Sequence, residues 1–363
     1  MALSRNQKKS LKSVMKSGRN RKVYVAISGG VDSSVSAGLL KQAGFDVTGV
    51  YMKQWSPKVL GRECIWKQER QDALRVANRL GIKFLTWDFS KEYEKEVGRY
   101  MINSYKKGIT PNPDVMCNKI IKFGLFFDKA VKEGADFIAT GHYAKIKNNK
   151  LLKAKDKNKD QTYFLYTLKQ GQLNKIIFPV GNLKKPDVRK LAKKFKLHVA
   201  EKRDSQGVCF IGPLDMKNFL KSYINPKPGK IMFCGELGSP QNVGGHDGVY
   251  YYTIGQRHGL DIKNGRGPYF VIKKDVKKNI IYVGREKDLY SKKAKIKNIN
   301  WIEKPKKFPV LLDVRTRYRA PLIKAKLSKS GELVLKKLDR AITSGQSAVF
   351  YKGGRVLGGG VII

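Results

Sequence analysis

The sequence predicts an α/β protein with three parts: a doubly wound, mostly parallel sheet, a small central β-rich domain and a C-terminal antiparallel β-barrel. Apolar runs alternate with amphipathic helical segments up to about residue 210, a pattern typical of parallel strands joined by crossover helices. From about residue 284 onward, short alternating strands and glycine turns dominate, as in a small barrel. A chain of 363 residues has room for two or three such domains.

The elements of the sheet domain are predicted as successive strand–helix units. An apolar run at 23–27 is the first strand, and the helix at 34–43 has Val35, Leu39 and Leu40 on one face. Further strands are predicted at 46–52, 82–89 and 135–139, and helices at 68–80, 92–105 and 118–133. Later strands are predicted at 231–233, 250–253, 269–272, 322–327, 332–335, 347–351 and 356–363. The predicted division is a basic arm at 1–21, the sheet domain at 22–210, the central domain at 211–283 and the barrel at 284–363.

The turn between the first strand and the first helix is a candidate phosphate site. Its residues 28–33, which we call the glycine turn, read Ser-Gly-Gly-Val-Asp-Ser. Gly29 and Gly30 let the backbone approach a ligand, and the helix that follows offers unpaired N–H groups and a positive dipole end. An ordinary glycine turn with a serine cap is the alternative. The two glycines, the serines and the aspartate between a strand and a helix favour the phosphate site, although no kinase-type Gly-Lys-Ser/Thr sequence follows.

Two further strand ends are expected beside the glycine turn. Met52 ends the second strand, and residues 140–143 (Thr-Gly-His-Tyr) follow the strand at 135–139. Ligands of doubly wound sheets bind beyond the carboxyl ends of the strands. Three separate strand ends are therefore predicted to form one site.

The charge of the chain points to a polyanionic partner. Lysine and arginine number 75 against 29 acidic residues, which gives a net charge of +46 and favours nucleic acid. Compositional drift toward lysine on solvated faces is the alternative. Residues 1–22 are also basic, and a nucleic-acid-binding arm, a transit peptide and a solvated tail are all compatible with them. No apolar run approaches the ~20 residues of a membrane span, so no membrane partner is expected.

The four cysteines, Cys64, Cys117, Cys209 and Cys234, are too scattered for a disulfide framework or a zinc site, so a cytoplasmic protein without a metal centre is expected. Cys117 follows a stiff segment with two prolines and is predicted at the start of the helix at 118–133. There the helix dipole would lower the pKa of its thiol, with Asp114 as a nearby proton carrier. A buried structural cysteine is the alternative.

Several motifs in order resemble those of the tRNA-specific 2-thiouridylase family, ATP pyrophosphatases that modify the wobble uridine of tRNA. Besides the glycine turn they are NPDVMCN (112–118), ATGHYA (139–144), KDQTYFLY (159–166), DSQGVCFIG (204–212), YYTIGQR (251–257), RTRYRAP (315–321) and SGQSAVFY (344–351). The resemblance extends from about Lys22 to the end of the chain. So many independent motifs in sequence exclude chance similarity.

The resemblance implies three groups of binding residues. ATP, with Mg²⁺, would be bound by Ala26, Ile27, Ser28, Gly29, Gly30, Val31, Asp32, Ser33, Met52 and Gly141, with Asp32 near the metal or the phosphates. The target base would contact Asn112, Pro113 and Asp114. The rest of the tRNA would contact His142, Lys159, Asp160, Gln161, Arg317, Tyr318 and Gln346.

The resemblance also implies a mechanism with two thiols. ATP would adenylate the uracil oxygen, Cys209 would carry sulfur as a persulfide received from a donor protein, and Cys117 would be its partner nucleophile. Asp114 would act as general acid or base. A persulfide leaves its inner sulfur behind, so a second thiol is needed to capture it, within a Cα–Cα distance of ~4.4–6.8 Å. The loop that contains Cys209 is therefore expected to fold over the site of a monomeric enzyme.

The sequence also predicts an RNA-binding face on the barrel. If residues 314–319 form a strand, Arg315, Arg317 and Arg319 lie on one face, suited to phosphates. A solvated polar face is the alternative. Two other functions remain open at this stage: a different adenylating ATP pyrophosphatase that acts on tRNA, and a non-catalytic RNA-binding protein.

Overall fold

The computed structural model describes residues 20–57, 65–204, 216–235 and 239–363. The predicted basic arm falls almost entirely outside these residues, as do Cys64 and Cys209. Within the described residues, no helix has the length and apolar character needed to cross a membrane.

The first domain is built on a parallel sheet. Its strands and the hairpin that follows the fourth strand are β1 (Lys22–Ala26), β2 (Asp46–Lys53), β3 (Lys83–Asp88), β4 (Phe137–Ala139), β5 (Ala144–Lys147), β6 (Lys150–Lys153) and β7 (Ile176–Ile177). The sheet has the order β3-β2-β1-β4-β7, and every neighbouring pair is parallel. The strand order reverses direction between β1 and β4, so the crevice outside their carboxyl ends is the topological switch point.

Helices cover both faces of this sheet, as predicted for a doubly wound domain. They are α1 (Val31–Gln42), α2 (Ile65–Leu80), α3 (residues 90–106, with a π-helical part Glu94–Gly98), α4 (residues 113–132, with a π-helical part Cys117–Leu125) and α5 (Lys185–Lys194). One core joins β1 to α1, α2 and α5 through Val23, Leu39, Val76 and Val188. The other core joins the opposite face to α3 and α4 through residues such as Met101 and Phe126.

A four-stranded sheet forms the central domain. Its elements are α6 (Met216–Lys221), β8 (Gly229–Phe233), β9 (Gln241–His246), β10 (Phe270–Asp275) and β11 (Ile280–Gly284), in the sheet order β10-β11-β8-β9. The strand predicted at 250–253 is wrong, because Val249–Tyr251 is a turn of 3₁₀-helix. The chain turns at Gly248, whose φ is +150°, and the Tyr251 hydroxyl reaches the carbonyl of Ile224. Tertiary burial of the tyrosine thus outweighs its β propensity.

The C-terminal strands close into an antiparallel barrel, as predicted. They are β12 (Tyr290–Trp301), β13 (Val310–Arg315), β14 (Ile323–Leu327), β15 (Glu332–Arg340), β16 (Ser347–Lys352) and β17 (Arg355–Ile362). Their order is β12-β15-β14-β13-β16-β17, and a further pairing of β12 with β17 closes the barrel. Closure of this kind removes exposed strand edges.

The predicted row of three arginines on one strand face is wrong. Strand β13 ends at Arg315, and residues 316–319 form a bend and a turn. The Thr316 hydroxyl donates to the carboxylate of Asp339, and Arg319 takes a left-handed φ of +64°. Arg315 is mostly buried and pairs with Asp160, whereas Arg317 is exposed.

The barrel packs directly against the first domain. Residues 162–166 run along the start of β16, where the Tyr163 hydroxyl donates to the carbonyl of Ser347 at 2.9 Å. Asn300 donates to the carbonyl of Tyr166 at 2.7 Å, and β6 pairs with β17. The core on this side of the parallel sheet therefore continues without a break into the barrel.

Candidate active site

The glycine turn forms an open cradle at the start of α1. The helix begins at Val31, three residues earlier than predicted, and its N-cap residue Gly30 provides no side-chain cap. The hydroxyls of Ser33 and Ser34 instead bond to the carbonyl of Gly30, at 3.2 and 2.7 Å. The first N–H groups of this twelve-residue helix therefore have no side-chain cap, an arrangement that suits an anion.

Glycine is required at two positions around this cradle. Gly29 has φ +71°, and a Cβ there would lie 2.4 Å from the carbonyl oxygen of Glu69. Gly141, after β4, approaches the same turn so closely that its Cβ would lie 2.6 Å from the backbone nitrogen of Ser33. The carboxyl ends of β1 and β4 therefore meet at the switch point, and Met52 is the last residue but one of the adjacent strand β2, which ends one residue later than predicted. These features fit a bound triphosphate.

Lys185 places a cation beside the glycine turn, and Lys202 donates to the carbonyl of Gly29 at 3.1 Å. Its Nζ lies 2.7 and 2.8 Å from the two carboxylate oxygens of Asp32, which also accepts a 2.9 Å hydrogen bond from the Tyr143 hydroxyl. The same Nζ lies 2.7 Å from Asp204. Lys185 is mostly buried, at 11% side-chain exposure, and its enclosed charge is shared by both carboxylates.

Asp204 gathers two further cations, Lys159 and Arg189. Burial alone would raise the pKa of Asp204, but the hydrogen bonds from Lys159 and Lys185 outweigh it and the pKa lies below its usual value. Asp204 is the last described residue before the segment that contains Cys209. The chain therefore enters that segment from a point tied to the glycine turn through Lys185.

The segment around Cys117 begins its helix earlier than predicted. We call residues 110–118 the Cys117 segment. Asn112 caps α4 by accepting a 3.3 Å hydrogen bond from the N–H of Val115, and Pro113 is the first helical residue. An asparagine followed by proline is a common helix start, so the sequence itself indicated that α4 begins at Pro113. Cys117 is the fifth residue of α4 and does not lie at its N-terminus.

The low pKa expected for the Cys117 thiol is also wrong, because the residue lies inside the helix and is buried. The residue is 1% exposed, and this burial raises the pKa of its thiol. The nearby charge of Asp114 also raises the pKa, whereas Lys122 and a hydrogen bond from Tyr93 oppose the shift. In the structure Cys117 is a free, buried cysteine. Cys209 lies outside the described residues, so its distance to Cys117 stays a prediction.

The residues predicted to contact tRNA from the first domain are partly engaged with protein. His142 is buried between Phe123 and Phe178, and burial lowers its pKa well below the usual value. Its Nδ1 lies 2.6 Å from the Thr140 hydroxyl. Asp160 is 4% exposed and accepts hydrogen bonds from Ala154, Thr162 and Arg315. Gln161 accepts from the N–H of Tyr143, and Lys159 pairs with Asp204.

The predicted barrel contacts lie at the junction with the first domain. Tyr318 packs on Phe164, with 4.5 Å between ring centroids, and the guanidinium of Arg319 lies over the Tyr318 ring. Gln346 donates to the carbonyls of two residues of the Cys117 segment. The structure thus brings the barrel end, the Cys117 segment and residues 159–166 together.

Sequence reasoning assigned no role to Lys185 or Tyr143. Their contacts with Asp32 span 153 and 111 residues of chain, and neither residue belongs to a local pattern that predicts an ion pair. Only the folded sheet brings the three side chains together.

Comparison with known proteins identifies the family. Three family models match the chain. The model of the tRNA methyl transferase HUP domain matches residues 21–213. The model of the tRNA methyl transferase PRC-barrel domain matches residues 217–285, and that of the aminomethyltransferase β-barrel domain matches residues 291–362. The tRNA-specific 2-thiouridylase MnmA of Geobacillus thermodenitrificans is 46% identical over 354 residues, which cover 94% of each chain. The chain belongs to the tRNA-specific 2-thiouridylase family. Enzymes with the same name from Oceanobacillus iheyensis (44% over 361 residues, 96% of each chain) and Bacillus subtilis (43% over 355 residues, 94% of each chain) are also similar.

Membership in the 2-thiouridylase family confirms the resemblance found in the sequence motifs. Each region of the fold also corresponds to one matched family model: the three matched segments coincide with the parallel sheet, the central sheet and the barrel. The roles of individual residues stay predictions.

Proposed function

We propose that the protein uses ATP to replace the C2 oxygen of the wobble uridine of tRNA with sulfur. The similarity to curated 2-thiouridylases, 43–46% identity over about 94% of the chain, is the observation that carries this proposal. The net charge of +46 suits a polyanionic substrate such as tRNA. The structural support is a series of contacts between the two regions. Lys185 pairs with Asp32 of the glycine turn and with Asp204, which also pairs with Lys159. Five residues after Lys159, the carbonyl of Phe164 accepts a hydrogen bond from Asn118 of the Cys117 segment.

ATP is the co-substrate because a uracil carbonyl oxygen does not exchange for sulfur until it becomes a better leaving group. The open N–H groups at Val31 and Asp32 and the close approach of Gly141 would hold the triphosphate. The described residues contain no group of three metal-ligating side chains. Mg²⁺ would therefore arrive with the triphosphate, with Asp32 as the acidic residue of the turn nearest to it.

Two thiols divide the sulfur chemistry. The outer sulfur of a Cys209 persulfide attacks C2 of the activated base, so that a C–S bond forms and the C–O bond breaks. The Cys117 thiolate then attacks the inner sulfur of Cys209, so that the S–S bond breaks and the thiolated base is freed. In the alternative route this attack comes first and releases sulfide, which attacks C2 in place of the persulfide. Both routes leave a Cys117–Cys209 disulfide, which an external thiol must reduce before the next turnover.

Asp114 is the proposed general acid or base of this step. Burial is the main cause of the raised pKa of the Cys117 thiol, and the charge of Asp114 adds to it. Because the buried thiol is protonated in the tRNA-free protein, a base must remove its proton when the substrate is bound. Asp114 lies in the same turn of α4 and is the acidic group suited to this task.

Thr110 and Asn118 are the residues of the Cys117 segment that retain unused hydrogen-bonding capacity. Their atoms Thr110 Oγ1 and Asn118 Oδ1 are buried and lack a partner within the described part of the chain. Buried polar atoms without partners are rare and costly in proteins. We assign them to the pocket that would receive the flipped base, where a substrate donor would satisfy them.

Mass spectrometry of nucleosides from tRNA incubated with the enzyme, ATP and a sulfide or persulfide source tests the proposal. The expected result is a uridine in which one sulfur replaces one oxygen, and its formation requires ATP. Unmodified tRNA after full ATP consumption would contradict thiolation and favour a different adenylating enzyme. Release of pyrophosphate measured with and without tRNA separates both enzymes from a non-catalytic RNA-binding protein.

Two features of the proposal concern partners. The sulfur comes from a protein that carries a persulfide, and the enzyme acts as a monomer on tRNA. Thiolation driven by a persulfide-loaded protein, compared with free sulfide at equal sulfur concentration, tests the first feature. Light scattering with and without tRNA tests the second.

A further inference from the structure

The C-terminal barrel holds the segment that contains the proposed nucleophile. The side-chain nitrogen of Gln346 donates two 3.1 Å hydrogen bonds, one to the carbonyl of Thr110 and one to the carbonyl of Pro111. The N–H of Thr110 donates in return to the carbonyl of Ser344 at 3.1 Å. More than 230 residues of chain separate the two sides of this contact. Both hydrogens of the Gln346 amide are thus used by protein.

Backbone hydrogen bonds hold Gln346 firmly within the barrel. Its carbonyl accepts a 2.9 Å hydrogen bond from the N–H of Ile362, and its own N–H donates to the carbonyl of Thr343 at 3.2 Å. The neighbouring Gly345 donates to the carbonyl of Ile362 at 2.9 Å. A side chain on such a support can fix the position of whatever it contacts.

Gly345 lets the backbone of the barrel lie directly against the Cys117 segment. Its φ is +92°, and a Cβ would lie 2.3 Å from the side chain of Ile109 and 2.5 Å from the carbonyl oxygen of Thr110. Only glycine allows the barrel backbone to approach in this way. The Ser344-Gly345-Gln346 turn, which we call the barrel clamp, is therefore shaped to the Cys117 segment.

Contacts along the Cys117 segment connect the barrel clamp to Cys117. Thr110 and Asn112 are at least nine-tenths buried, which leaves little room for independent movement. The side chain of Asn112 lies near the Tyr163 hydroxyl, which itself donates to the carbonyl of Ser347 next to the clamp. The same Asn112 side chain caps the helix that carries Cys117.

We propose that Gln346, on the barrel clamp, is a positioning residue that fixes the Cys117 segment in the active geometry. This role differs from the direct tRNA contact predicted for Gln346, because it operates in the absence of tRNA. The inference rests on the proposed function only for the identity of Cys117 as the reacting thiol. The barrel is then a structural part of the active site as well as a neighbour of the RNA.

Hydrogen exchange and cysteine alkylation of the tRNA-free, full-length protein test the role of Gln346. Gln346→Glu keeps the side-chain size but replaces the donor nitrogen by an oxygen, which cannot donate to the two carbonyl oxygens. Gln346→Ala removes the side-chain contact altogether. We expect exchange at Thr110, Val115 and Met116 and alkylation of Cys117 to become about tenfold faster in both variants, since two hydrogen bonds are lost. Alkylation of Cys234 serves as the internal reference and should not change. Thiolation assays should then show a lower kcat with little change in KM.

Arg317→Ala is the matched control, because Arg317 is exposed and is predicted to contact tRNA. It should raise KM for tRNA and leave exchange and alkylation of the tRNA-free protein at wild-type rates. Wild-type exchange and alkylation in both Gln346 variants, with weakened tRNA binding, would overturn the proposal and make Gln346 an RNA contact. Faster exchange spread equally over β16 would overturn it too, since the clamp would then stabilise only the barrel. A failure of thiolation by the wild-type enzyme would reject the proposed function without changing the exchange result.

Discussion

The glycine turn and the Cys117 segment are the two halves of the proposed site, and they are built differently. The glycine turn is a local structure: its own serines and glycines set the start of α1, and β1 and β4 enclose it. The Cys117 segment is held by residues far along the chain, namely Tyr163 and the barrel clamp. The backbone of the proposed nucleotide cradle is thus set within a few residues and only its surrounding contacts come from afar, whereas the proposed reacting thiol is held by contacts between two domains.

The largest expected effect comes from removing either thiol. Cys117→Ser and Cys209→Ser should each abolish thiolation, because sulfur transfer requires both a persulfide and a partner that captures its inner sulfur. ATP binding by the glycine turn should persist in both variants, which separates the two halves of the site. Nucleoside mass spectrometry and an ATP-binding measurement provide the two readouts.

Cys234→Ala is the control for the thiol variants. Cys234 lies in the central domain, just after β8, and should be dispensable for activity, as should Cys64. Full thiolation by either serine variant would contradict the two-thiol mechanism.

Gly141→Ala should impair the reaction of ATP at the glycine turn without affecting the Cys117 segment. The added Cβ would lie 2.6 Å from the backbone nitrogen of Ser33, so the start of α1 must move. A displacement of about 1 Å at a reacting group can cost about 100-fold in rate, and we expect a loss of that order in tRNA-dependent pyrophosphate release. The hydrogen exchange of the Cys117 segment should stay at the wild-type rate.

Gly171→Ala is the matched control for Gly141→Ala. No heavy atom lies within 4 Å of its added Cβ, and its backbone is not left-handed. Pyrophosphate release in this variant should equal the wild-type value. Equal activity of the Gly141 and Gly171 variants would mean that the β4 end takes no part in nucleotide binding.

Local patterns predicted the strand–helix framework around the glycine turn, and long-range contacts explain the failures. The strand–helix alternation and the glycine turn follow from periodicity over a few residues. The start of α4 was misplaced, although the pair Asn112 and Pro113 indicated it, because the two prolines were interpreted as an extended loop. The arginine row failed because contacts between Thr316 and Asp339 end β13 at Arg315. No sequence pattern specified the contact of Gln346 with Thr110, since it depends on how two domains pack.

Lys185→Met should weaken the link between the glycine turn and Asp204. The substitution leaves Asp32 without its cation and removes one of three cations around Asp204. Because the carboxylates are about one-quarter to one-third exposed, we expect a loss of about 1–2 kcal/mol in the free energy of unfolding, less than for a fully buried pair. Lys190→Met on the exposed side of α5 is the control for helix effects and should change stability by less than about 0.5 kcal/mol. Denaturant unfolding measures both, and equal losses would contradict the link.

The smallest effects concern the charges around Cys117. Burial raises the pKa of this thiol, so it is protonated at neutral pH, and its alkylation rate should keep rising by about tenfold per unit up to at least pH 9. Asp114 adds to the raised pKa and Lys122 opposes it. Asp114→Asn should therefore move the alkylation profile to lower pH, and Lys122→Met should move it to higher pH. A plateau of the wild-type rate below pH 8, or shifts in the same direction for both variants, would mean that the barrel clamp leaves the thiol open to solvent and that burial does not control its reactivity.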